Sequence, residues 1–333
     1  MQLDRFDWLA QRVESAIDPD RVIVDPHHHL WKRGGSTYLA PELLADLTVS
    51  HNVIKTVFVD CLANYDRDLP KHMAPVGETR LVAGEADATD AAGGPTIAGI
   101  VSHADMMLGN AVEEVLAAHD AAGGGRFRGI RHATSWDASD EIGPGHSKPF
   151  ESMMITDDFR TGVRKLAAMG FSFDAWIFHP QLGELADLAA NASEVTIILN
   201  HLGGPMGVGP YAGRHDEIRV QWRNDMSVVA ANPNVMLKVG GIGMSHFYGM
   251  DWNTYAMPPG SEEVAAFWAD DVHFCIDLFG PDRCMFESNF PVDRQTLTYS
   301  VLWNSLQILA TRYSDAEQGQ LFAGTAERVY RLP

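Results

Sequence analysis

Short apolar runs rich in β-branched residues recur along this chain, and all but the one at 235–239 end on a polar side chain. The runs at 22–24, 55–61, 97–101, 127–132, 171–178, 195–199, 235–239 and 284–287 read as strands. Between most of them apolar residues fall at helical spacing, which predicts helices over 41–47, 111–119, 158–169, 182–190, 217–231 and 262–279. Two more helices are predicted over 297–312 and 315–330. Phe6, Leu9, Ala10 and Val13 predict a leading helix over 4–16. Residues 81–86 are a short apolar piece ending at Glu85, and 133–154 have no periodicity and read as a long loop.

Alternating strand and helix with apolar strands implies a parallel sheet. Eight such units imply a single α/β domain over 1–333, a (β/α)₈ TIM barrel with an N-terminal helical extension. An open doubly wound sheet would carry a glycine-rich dinucleotide loop after its first strand; here that turn carries His27, His28 and His29.

In such a barrel the reactive side chains stand at the C-terminal strand ends. His27 and His29 end the first strand, Asp60 the second and His103 the third. Arg131 and His132 end the fourth, His179 the fifth, His201 the sixth and Asn289 the eighth. Strand alternation turns His27 and His29 to one face and His28 to the other, so two imidazoles can reach one cation at about 2.0–2.1 Å. Histidine is the commonest metal ligand and an acid/base near neutral pH. Gly203-Gly204-Pro205 and Gly240-Gly241 read as tight turns after strands.

The net charge of -19 argues against nucleic acid and anionic membrane surfaces as partners. No apolar run approaches the ~18–20 residues of a membrane span, and residues 1–6 do not have the pattern of a signal peptide. Cys61, Cys275 and Cys284 show no metal or redox spacing, which points to a reducing compartment and a cytoplasmic location. No G-x-S-x-G elbow is present, which argues against a serine hydrolase.

The motif Asp25-Pro26-His27-His28-His29-Leu30-Trp31 resembles the first-strand signature of the amidohydrolase superfamily. Three later segments match, in order, the strand-end motifs of its "amidohydrolase 2" branch of lactonases and decarboxylases. They are Phe127-Arg128-Gly129-Ile130-Arg131-His132, Asn200-His201-Leu202-Gly203-Gly204-Pro205 and Glu287-Ser288-Asn289-Phe290-Pro291-Val292. The resemblance covers residues 20 to 331 and implies the (β/α)₈ fold. It implies that His27, His29 and His179 ligate one divalent metal, zinc in many members, although some lactonases of the branch work without metal. It also implies that His201 orients substrate or polarises its carbonyl, and that Arg131 pairs with substrate oxygens; His132 and Trp31, the last residues of their motifs, are further substrate-binding candidates.

The eighth strand departs from the branch, which has a water-activating aspartate where this chain has Asn289. An amide oxygen can ligate but cannot take a proton. Alternation puts Glu287 on the same face one layer deeper, so Glu287 is expected to supply the missing carboxylate. The expected function is a metal- or histidine-assisted hydrolase opening a lactone of a small carboxylated or sugar-like molecule, with His201, Glu287 and Asn289 catalytic. The alternatives are a non-oxidative decarboxylase on the same pocket and a catalytically impaired ligand-binding barrel. The expected partner is a small-molecule substrate; a homo-oligomer is left open.

Overall fold

The computed structural model describes residues 5–142, 147–248 and 250–333; residues 143–146 of the expected long loop lie outside them. Eight parallel strands are hydrogen-bonded in chain order: β1 Val22–His28, β2 Asn52–Val59, β3 Thr96–Ser102, β4 Phe127–Arg131, β5 Ser172–Ala175, β6 Ile197–Leu199, β7 Val235–Val239 and β8 Cys284–Phe286. The first and last strands meet at their C-terminal ends. There His28 bridges to Phe290, the His29 amide donates to the Phe290 carbonyl at 2.8 Å, and the Asn289 amide donates to the His27 carbonyl at 2.9 Å. With helices between successive strands, this is a (β/α)₈ barrel.

Inside the barrel, Val24, Val57, Val101, Ile198, Met236 and Met285 form an apolar floor. The helical turn Thr325–Val329 and the residues after it close this end, with Ala326, Val329 and Tyr330 packed into the floor. Gly99 makes room for them, because a Cβ there would come within 3.1 Å of Val57 and 3.2 Å of Leu332. Strand side chains repeat every two residues. Residues two on from the floor therefore face the same interior nearer the mouth: Asn200 from Ile198, Lys238 from Met236 and Glu287 from Met285.

Two elements differ from the sequence reading. The leading helix is only Phe6–Leu9, because past Ala10 the chain has no apolar face to bury; Val13 is 84% exposed. The segment is held instead by side-chain amides of the helix Tyr299–Ala310. Asn304 accepts from the Ile17 amide at 3.0 Å and Gln307 from the Asp18 amide at 3.0 Å. The apolar piece at 81–86 belongs to a helix, Val76–Ala91, whose buried face mixes Glu78, Thr79 and Thr89 with Val82 and Ala86 and so shows no clean apolar period. Among the described residues no helix is long and apolar enough to cross a membrane.

Candidate active site

The mouth of the barrel is organised by Glu287, a fully buried carboxylate. One oxygen accepts from His201 Nδ1 at 2.6 Å and from the His201 amide at 3.2 Å. The other lies 2.7 Å from His27 Nδ1. The ligand atoms of His27, His201 and Glu287 all fall within 4.8 Å of one another, which makes them a candidate metal site. The paired glycines after β7 are what admit them. A Cβ on Gly240 would sit 2.2 Å from Glu287 Cγ, and one on Gly241 would sit 2.9 Å from His201 Cβ. Read from sequence as a tight turn, this pair shapes the site. His201 and Asn289 both hold positive φ, 52° and 54°, a region that costs a non-glycine residue about 1–2 kcal/mol and that gathers at functional sites.

Hydrogen-bond partners assign the tautomer of each ring. His29 Nδ1 lies 2.8 Å from the Val59 carbonyl, which can only accept, so Nδ1 carries the proton and Nε2 a lone pair. With Glu287 ionised, the same holds for His201; His27 has a cationic donor at each ring nitrogen, Lys238 Nζ at Nδ1 and Arg131 Nη1 at Nε2, both at 3.4 Å. Burial first, then the nearby cations, holds all three imidazoles well below their usual pKa, so they are neutral. An imidazole anchored at one nitrogen and bare at the other is the form that ligates metals and accepts protons.

His179 and His132 have the opposite form. Backbone amides donate to both at Nδ1, Met206 to His179 at 3.2 Å and Met106 to His132 at 3.1 Å, so the proton lies on Nε2. Neutral His179 thus offers an N–H where a metal needs a lone pair. Its ring packs 4.9 Å from Tyr211 and lines a cavity of about 640 Å³ with Pro180, Tyr211 and Arg214, a cavity that none of His27, His29, His201 and Glu287 lines. The expected set His27, His29 and His179 is therefore not the set that converges. His132 lies between His103 and Phe159, at 5.1 and 5.4 Å. Trp31 is fully buried and stacks behind His29 at 6.3 Å; the half-buried indole against His201 is Trp176, at 5.0 Å. Arg131 reaches the centre: Nη1 lies 3.4 Å from His27 Nε2, and Nη2 donates to the Asp60 carbonyl.

Three residues were missed by the sequence reading. Lys238, fully buried in β7, lies 2.8 Å from Asp174 and 3.4 Å from His27 Nδ1. Asp174 also accepts from Tyr330 Oη at 2.8 Å and Asn200 at 3.1 Å, which ties the floor plug to the histidine layer. Asp293, fully buried, accepts from the Asn289 side-chain amide at 2.7 Å. A charged residue inside an apolar strand, on the parity of the floor, was the available signal for Lys238 and Asp174.

The donor set fits a divalent cation. His29 Nε2 and Asn289 Oδ1 face each other at 3.3 Å, both as acceptors. That spacing is close to the ligand–ligand edge of about 3.4 Å that bonds of ~2.0–2.1 Å give in a tetrahedral zinc site. Working against it, Lys238 and Arg131 stand near the two nitrogens of His27.

A parallel barrel that gathers neutral imidazoles around a buried carboxylate at its strand ends is the build of a barrel enzyme. The chain belongs to the amidohydrolase family, whose profile matches residues 24–332. The protein y4mH of Sinorhizobium fredii is 31% identical over 336 residues, 94% of this chain and 99% of that one. L-fucono-1,5-lactonase of Burkholderia multivorans is 26% identical over 238 residues, 71% of this chain and 72% of that one. A crystal structure of an amidohydrolase from Burkholderia multivorans with bound zinc shares the fold, with a TM-score of 0.71 at 24% identity over 94% of this chain and 100% of that one.

Proposed function

We propose that this amidohydrolase opens the ester bond of a small carboxylated or sugar-like lactone. The observation that carries the reading is Glu287 bonded to His201 Nδ1 at 2.6 Å, which leaves the Nε2 lone pair of His201 free to take a proton. The similarity to an L-fucono-1,5-lactonase supports the lactone. His27 and His29, with Asn289, would hold one divalent cation, zinc by analogy with the zinc-bound relative, and His201 stays free as the base. When bound, it would supply Lewis acidity and acidify a water.

The chain's own residues do the following. His201 Nε2 accepts a proton from water as the water oxygen bonds to the lactone carbonyl carbon. The Glu287 carboxylate orients the ring and stabilises the imidazolium, as the carboxylate does in a Ser-His-Asp triad. Arg131 donates to the carbonyl oxygen as it gains charge. The imidazolium then returns the proton to the ring oxygen as the C–O bond breaks, giving a hydroxy acid. Burial raises Glu287 to about 8, so turnover climbs with pH toward that value as the working carboxylate forms. The test is a panel of sugar and carboxylated lactones followed by proton release and product mass. Gain of one water supports the reading. Loss of CO₂ would move it to the decarboxylase, and no turnover of any lactone or carboxylate would overturn both.

A further inference from the structure

One buried carboxylate has no part in the steps above. Asp293 lies four residues past Asn289, and its Oδ1 accepts from Asn289 Nδ2 at 2.7 Å, short for a bond of this type. Its Oδ2 accepts from the Gly243 amide at 2.8 Å. That approach requires glycine, because a Cβ at 243 would fall 2.9 Å from the Asp293 carbonyl and 3.0 Å from its Cβ. Both carboxylate oxygens are thus committed, one to a rigid backbone and one to the amide. An amide that donates through Nδ2 to Asp293 must turn Oδ1 away from it, and Oδ1 lies 3.3 Å from His29 Nε2. His29 cannot donate there, because its ring proton is held by the Val59 carbonyl. Two acceptors face each other with no proton to share, an arrangement costly to bury unless a cation or donor enters between them.

We propose that Asp293 is a positioning residue that locks the Asn289 amide with its oxygen toward His29, so that the eighth strand offers a divalent cation a neutral oxygen in place of a carboxylate. This rests on the reading that the site takes a divalent cation. It explains how the strand can offer an oxygen ligand without a carboxylate at position 289, and it assigns proton transfer elsewhere, since an amide oxygen is not a base at neutral pH.

The test is zinc and cobalt(II) affinity of the metal-free full chain by titration calorimetry, with the cobalt(II) visible spectrum as a second readout. Asp293→Asn is expected to weaken metal binding about 10- to 100-fold, the usual cost of losing an outer-shell partner, with the folded circular dichroism spectrum retained. The exchange variant Asn289→Asp/Asp293→Asn places the carboxylate at the ligand position with an amide behind it. It is expected to recover at least wild-type affinity, with an altered cobalt(II) spectrum; a merely structural role for Asp293 predicts no such rescue. Wild-type binding with Asp293→Asn unchanged would mean that the amide is held the other way, with its NH₂ toward His29, and the proposal falls while the metal reading stands. A wild-type chain that binds neither ion overturns both.

Discussion

The histidines at the mouth divide into two groups that differ in what holds Nδ1. On one side His29 and His201 give their Nδ1 protons to a carbonyl and a carboxylate and keep a lone pair on Nε2, while His27 stands between the groups with Lys238 near Nδ1 and Arg131 near Nε2. On the other side His132 and His179 receive backbone amides at Nδ1 and turn N–H groups outward. All five stand at strand ends of one barrel, and all are buried. The difference teaches that position at a barrel mouth does not decide a histidine's chemistry; the partner of its second nitrogen does. The first group can ligate and accept protons; in the second, His179 can donate its N–H to an oxygen in the cavity it lines.

The largest test of this contrast is removal of the proton acceptor. His201→Gln or Glu287→Gln is expected to cut lactone turnover about 10²- to 10⁴-fold, the range for a positioned general base, measured as kcat on the best lactone of the panel. Next in size is Lys238→Met. It strands Asp174 as an uncompensated buried charge and is expected to cost about 3–5 kcal/mol in denaturant unfolding. The double change with Asp174→Asn should recover most of that loss, and failure to do so would mean that the pair does not act as a unit.

His179→Gln sharpens the contrast from the other side. Glutamine can still donate an N–H, so metal affinity should hold and kcat/KM should fall less than about tenfold, through KM. If His179→Gln abolishes metal binding, the division of the rim is wrong. A further expected signal is in pH. Glu287 titrates near 4.5 in the unfolded chain and near 8 when folded. The folded chain therefore holds a proton that the unfolded chain has lost between these values, and stability from this group falls as pH rises from 4.5 to about 8. Metal-free Glu287→Gln lacks that loss, so its midpoint temperature should gain on wild type across this window.

The barrel and its rim were legible because seven of the eight apolar strands end on a polar residue, and Glu287 was placed by counting two back from Asn289. The same count from Met236 reaches Lys238 and would have found it. The tautomers were not legible, since they depend on amides of Met106 and Met206 that the fold brings in from loops. Nor was the helix Val76–Ala91, because its inward face carries Glu78, bonded to the amides of Cys61 and Ala63. The leading helix was over-read because Val13 repeats at helical spacing but has nothing to pack against. Gly240 and Gly241 looked like turn residues because nothing in the sequence shows Glu287 and His201 lying against them.

The most direct measurement is the ¹H–¹⁵N correlation spectrum of imidazole-labelled, metal-free protein above the Glu287 pKa of about 8. Assigned by single His→Gln variants, His29 and His201 should each show a proton on Nδ1 and a bare Nε2, and His132 and His179 the reverse. A proton on Nε2 of His29 and His201 would remove the lone pairs on which both the proposed base and the candidate metal site depend.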